Sequence, residues 1–124
     1  MHRQLLKSKI HRATVTESNR DYEGSITMDE TLMEAANIVP WEKVLVANID
    51  TGQRVETYAI PGPPKSGVIC MNGGAAHYAK KGHTVIIMSF ALFAEEEIPE
   101  HKPQVIRVNA KNQITSTEAE KCHV

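Results

Sequence analysis

Among the residues able to do chemistry, the stretch "YEGS" (22–25) is the most suggestive, because a serine hydroxyl directly follows a glycine carbonyl. Gly24 has no Cβ, which leaves its carbonyl sterically open and its backbone free to adopt a strained turn. In such a turn Ser25 Oγ can attack the Gly24 carbonyl through a five-membered ring and convert the amide to an ester. Removal of the Ser25 α-proton then expels the Gly24 carboxylate and leaves dehydroalanine. Its hydrolysis puts a pyruvoyl group on the new N-terminus. Gly-Ser is ordinarily a plain turn dipeptide, so this reading needs support from the rest of the chain.

Three further stretches supply reactive side chains. "KSKIHR" places Lys9 and His11 two residues apart, hence on one face of a strand. "GQRVETYAI" does the same for Arg54 and Tyr58, with Thr57 beside them. Alternation sends Thr57 and Tyr58 to opposite faces, so both serve one site only at a bulge, a strand end or a subunit interface. "CMNGGAAHY" offers Asn72 and then the small residues Gly73, Gly74, Ala75 and Ala76, whose backbone a ligand can approach closely. This loop lacks the GxGxxG and GxxxxGK patterns of phosphate cradles, and a pocket-lining role is expected instead. His77, His83 and His101 are scattered without ligand spacing, and Cys122-His123 puts two neighbours on a polar end, so no metal site is expected. "EEE" at 95–97 is the pattern of a solvated loop.

The elements that must position these groups are short. A strand is expected over 8–16, turn chemistry in "SNRDYEG", and a short helix capped by Asp29 with Leu32, Met33, Ala35 and Ala36 on its apolar face. Pro40 blocks its continuation. "KVLVANI" and "QRVETYAI" flank Asp50-Thr51-Gly52 as a hairpin. "PGPPKSG" (61–67) is a rigid loop and 68–72 a strand that runs into a glycine-opened helical turn stopped by Gly82. "HTVIIMSFAL" and "PQVIRVNA" complete the strands, and the polar stretch 111–124 is expected to be a flexible, frayed tail. Strands outnumber helices and no βαβ rhythm is present, which favours a small closed β-barrel over a parallel α/β sheet.

The totals agree with one domain, 1–124, able to bury its own core. A formal net charge of −1 gives no basic excess for nucleic acid or an anionic membrane. The basic N-terminus has no apolar core of a signal peptide, and no apolar run approaches a membrane span. Cys70 and Cys122 lie far apart without a CxxC, as expected of free thiols in a cytoplasmic protein.

Taken together, "KIHRATVT", "YEGSITMD", "AANI", "TGQRVETYAI", "NGGAAH", "KGHTVIIMSF" and "KPQVIRV" resemble, in order and spacing, the pyruvoyl-dependent bacterial aspartate 1-decarboxylases over residues 1–108. The resemblance implies a mainly β fold, a six-stranded double-psi β-barrel with short helices, assembled as a homotetramer with interfacial active sites. It implies autocatalytic cleavage between Gly24 and Ser25, giving a β chain 1–24 and an α chain 25–124, with or without an accessory maturation protein. Ser25 becomes the covalent pyruvoyl group, with no metal and no pyridoxal phosphate. That group forms a Schiff base with L-aspartate and accepts the electron pair released with CO2, giving β-alanine for pantothenate and hence coenzyme A.

On that basis Arg54, helped by Lys9, is expected to clamp the side-chain carboxylate. An ion pair on the α-carboxylate would stabilise the ground state alone. Tyr58 is the expected proton donor to Cα, and Thr57 the expected assistant in cleavage and a substrate contact. Asn72, Gly73, Gly74 and Ala75 would line the pocket, with His11 and Tyr22 as supporting or processing groups. Two positions depart from the family's habit: Ala47, where tryptophan is frequent, and Gly74, where alanine is usual. The competing expectations are an unprocessed barrel acting as a binding module and a DNA-binding barrel, which the absent basic excess disfavours.

Overall fold

Period-two burial runs through the apolar strands. Along the eleven residues 84–94, Val85, Ile87 and Ser89 turn inward while Ile86 and Met88 are only half-buried. The computed structural model describes residues 1–119. In chain order it contains β1 (His2–Thr14), β2 (Glu17–Asn19), β3 (Ser25–Asp29), α1 (Glu30–Ala35), β4 (Lys43–Asn48), β5 (Arg54–Gly62), β6 (Ile69–Asn72), β7 (Thr84–Ala94), β8 (Gln104–Val108) and β9 (Ile114–Ala119). Two 3-10 turns, Gly73–His77 and Ile98–Glu100, flank β7.

The hydrogen-bonded order is β2-β6-β3-β5-β4-β7-β1-β8-β9. Its first member and β1 are one nearly continuous segment, separated only by Val15 and Thr16. Thr16 N–H donates to Ile69 O at 2.8 Å, so the segment passes directly from β7 on one side to β6 on the other. The ring is thereby closed, with six members: β1–β2, β6, β3, β5, β4 and β7. This is the expected six-stranded barrel of double-psi type, and its parallel pairings are β2/β6 and β3/β5. Strand β8 adds in parallel to β1 outside the ring, and β9 follows it. Ile10, Val15, Ile26, Met28, Val44, Val46, Ile69, Met71, Val85, Ile87 and Ile106 fill the interior. Among the described residues no helix is long and apolar enough to cross a membrane.

Helix α1 begins as expected, with Asp29 Oδ1 accepting the Thr31 N–H at 2.8 Å and Leu32 and Met33 buried. The same carboxylate accepts the N–H groups of Lys65 and Gly67, both at 2.9 Å, and so ties the 61–67 loop to the end of β3. The hairpin around Asp50-Thr51-Gly52 is present as β4 and β5, with Val46 opposite Val55.

Several boundaries differ from expectation, each through pairing between distant segments. β1 begins at His2 rather than residue 8, because β7 is long enough to pair with it from Ala94 back to Thr84. Residues 18–19, expected as turn, join Glu17 in pairing with β6, and β5 continues through Pro61 to Gly62 alongside β3. The segment after Lys111, expected to fray, is β9 from Ile114 to Ala119, paired with β8. Asn112 anchors its start: its Oδ1 accepts the Thr14 N–H and its Nδ2 donates to Thr14 O and Gly67 O. Residues 120–124, including Cys122 and His123, lie outside the described residues.

Candidate active site

The Gly24–Ser25 bond stands at the very start of β3, the strand whose two neighbours are β5 and β6. On the β6 side Ser25 is paired with Asn72. One step back Gly24 meets Gly73, where an added Cβ would lie 2.6 Å from Gly24 N and 2.7 Å from Tyr22 O. Gly73 has φ +62°, so it is glycine for both reasons. On the β5 side the parallel ladder begins with Ile26 opposite Ala59. Continuing that register backwards sets Ser25 level with Tyr58 and Gly24 level with Thr57. The Gly24–Ser25 peptide therefore lies between Asn72–Gly73 and Thr57–Tyr58.

Ser25 is buried, and its Oγ accepts a hydrogen bond from Asn72 Nδ2 at 2.9 Å. The same nitrogen donates to Thr27 Oγ1 at 2.9 Å, while Cys70 Sγ donates to Asn72 Oδ1 at 3.1 Å. Gly24 faces open space, with nothing within 4 Å of where its Cβ would stand. It lines a groove of about 570 Å³ together with Val55, Glu56, Thr57, Tyr58, Gly74, Ala75, His77 and Tyr78. Four consecutive residues of β5 border this groove because β3 pairs only with residues 59–62, leaving the preceding edge of β5 unpaired on that side. A strand edge offers both faces, which is how Thr57 and Tyr58 reach one site.

The structure thus brings together Gly24, Thr57, Tyr58, Gly74 and Ala75 around the groove, with Ser25, Asn72 and Gly73 directly behind them. Tyr22 is exposed and its carbonyl abuts Gly73. Arg54 is exposed at the first position of β5, opposite Ala47 of β4, and does not line the groove. Lys9 is half-buried on β1 opposite Met88 and Val105, and it too lies off the groove. His11 lines a different cleft, with Arg12, Thr14 and Arg107. A single chain therefore separates the two strand-β1 groups from the Gly24–Ser25 bond.

Three residues at the site escaped sequence reasoning. Thr27 and Cys70 matter only through the β3–β6 register, which no local pattern reveals. Trp41, the single tryptophan, stacks on Tyr58 with ring centroids 5.9 Å apart. It is exposed at φ 75°, and its N–H donates to Ala59 O at 2.8 Å. Its position in the sequence, next to Pro40, signalled only the end of the helix.

Comparison with known proteins bears on this arrangement. Residues 1–115 match the aspartate decarboxylase family. An aspartate 1-decarboxylase of Dehalococcoides mccartyi is 52% identical over 111 residues, covering 90% of this chain and 90% of the relative. One from Listeria monocytogenes is 50% identical over 114 residues, covering 92% and 90%. One from Clostridium acetobutylicum is 52% identical over 122 residues, covering 98% and 96%. With residues 1–115 matched and relatives half identical over nine-tenths or more of the chain, the chain belongs to the aspartate decarboxylase family.

Proposed function

We propose that this protein is a self-processing carboxy-lyase, a single domain over 1–124 that converts L-aspartate to β-alanine and CO2 in the cytoplasm, supplying pantothenate synthesis. Cleavage at Gly24–Ser25 leaves chains 1–24 and 25–124, with a pyruvoyl group at residue 25. The observation that carries this reading is the placement of Ser25: a buried hydroxyl held at 2.9 Å by Asn72 beside a Gly24 that faces an open groove. A small carbonyl cap at that position fits, since the Asn72 amide faces it and the groove mouth at Gly24 is free.

In cleavage, Asn72 fixes Ser25 Oγ, and Thr57, level with Gly24, is the hydroxyl able to bond the Gly24 carbonyl oxygen as it becomes tetrahedral. Once formed, the pyruvoyl carbonyl supplies an electron sink for the pair released with CO2. Tyr58 holds the proton that returns to the substrate Cα. The backbone of Gly73, Gly74 and Ala75 bounds the pocket, and Tyr22 and His11 support it. Arg54 with Lys9 binds the side-chain carboxylate, leaving the α-carboxylate without an ion pair.

Because Lys9 and His11 stand on β1, away from the groove of their own chain, the reading requires a homotetramer in which a second copy completes each site. Exposed Trp41 and Tyr78 beside Tyr58 and the groove are apolar surface suited to such a contact. Whether an accessory protein speeds maturation is a separate variable of the same reaction. Ser25→Ala tests the proposal: cleavage and β-alanine formation should be lost together. Decarboxylation surviving in that variant would overturn it.

A further inference from the structure

We infer that Cys70 is a positioning residue for cleavage of the Gly24–Ser25 bond, acting through the side-chain amide of Asn72. The inference rests on the proposed cleavage and names a residue to which that reading gives no role. Ser25 and Thr27 share one face of β3, and Cys70 and Asn72 share the facing side of β6. The register pairs Ser25 with Asn72 and Thr27 with Cys70. Four polar side chains thus meet on one patch of sheet, with Asn72 bonded to the other three, and Ser25, Cys70 and Asn72 are buried.

The amide at its centre has two N–H donors and one carbonyl oxygen. Nδ2 donates to both Ser25 Oγ and Thr27 Oγ1, at 2.9 Å each, so Oδ1 needs a donor of its own. The Cys70 thiol is that donor, at 3.1 Å. A rotated amide would turn its N–H groups onto a sulfur, a weak acceptor, and would present a carbonyl oxygen to Ser25. The thiol therefore selects which end of Asn72 meets the nucleophile. Burial, and the Glu17 carboxylate directly across the β2–β6 pair, push the thiol above its ordinary range, so it remains a protonated donor at neutral pH.

The amide end matters in both covalent steps. In the acyl shift the Ser25 Oγ–carbonyl bond forms, the Gly24–Ser25 C–N bond breaks, and the hydroxyl proton ends on the freed nitrogen. In the elimination water takes the Ser25 α-proton, the Cβ–Oγ bond breaks, and its electron pair stays on the oxygen that leaves with the Gly24 carboxylate. An N–H aimed at Oγ stabilises charge at that atom, and a donor on Oδ1 polarises the amide and strengthens that N–H.

The test follows the uncut fraction of the full chain by intact mass under denaturing conditions, from a short pulse of synthesis through warming. Wild type and Cys70→Ser, which keeps a donor, should cut at similar rates. Cys70→Val, similar in size but donorless, should cut about three- to tenfold more slowly, the loss of one modest hydrogen bond. In an Asn72→Ala background Cys70→Val should add no further slowing. Cys70→Ala serves in its place if melting shows the valine variant unfolded. The inference is overturned if the donorless variant cuts at the wild-type rate, if Cys70→Ser is equally slow, or if the slowing persists undiminished without Asn72. A wild-type chain that never cuts overturns the cleavage reading itself, which is a distinguishable result.

Discussion

At Gly73 a single hydrogen atom stands where any other residue would put a methyl group 2.6 Å from Gly24 N. Gly73→Ala must therefore push the 22–24 segment away from residue 73 and also adopt a strained φ. We expect destabilisation of about 1–3 kcal/mol and slowed cleavage, checked by thermal melts and by the mass time course. Arg54→Ala, on an exposed strand end, should leave cleavage intact and abolish turnover of L-aspartate. Retained turnover would mean another cation holds the side-chain carboxylate. At this scale the sequence was informative where chemistry is local. Gly24-Ser25, Thr57, Tyr58 and the glycine run are legible as types and spacings. The Asn72–Ser25 contact, the Cys70 donor and the Trp41–Tyr58 stack are not, because each depends on which strand lies beside which.

Strand β3 shows what an element contributes to the proposed cleavage. Its ladder with β5 starts at Ile26, so cleavage before Ser25 removes none of those pairings. A 1–24 fragment would stay attached through β1, which pairs with β7 from His2 to Thr14 and with β8 over Ser8–His11. Such a cut should leave the fold in place. The far end of β1 depends on Asn112, whose amide makes bonds to Thr14 N, Thr14 O and Gly67 O while buried. Asn112→Ala should cost about 2–4 kcal/mol, since it leaves buried backbone groups unpaired, and a denaturant melt measures this. The capped helix and the Asp50–Gly52 hairpin were readable from local signals. β2, the first residues of β1, and β9 were not, since polar segments become strands only when a distant partner covers their hydrogen-bonding edge.

For the whole molecule, barrel closure turns on one link, Val15–Thr16, that makes β1 and β2 neighbours of opposite ends of the strand order. Strand-rich patterning suggested a barrel, but only the pairing identifies the six members of the ring. Inter-element electrostatics give a pH signature. Burial pushes the Glu42 carboxyl upward, but hydrogen bonds from Lys7 Nζ, Ser89 Oγ and Val39 N–H, with the Lys7 charge, bring it below its ordinary range. A carboxyl depressed in the folded state contributes stability above its unfolded pKa and loses it as pH falls through the folded one. Glu42→Gln should therefore lower the melting temperature near neutrality and flatten its fall on acidification, read from melts between about pH 3 and pH 7. The mass of the native assembly should correspond to four copies, as sedimentation would report.

The proposed cleavage at Gly24–Ser25 breaks a covalent bond, so intact mass under denaturing conditions reads it without an activity assay. The purified protein should give two species, residues 1–24 ending in a free carboxylate and residues 25–124 beginning with a pyruvoyl group in place of Ser25. A single full-length species that persists through prolonged warming would contradict it.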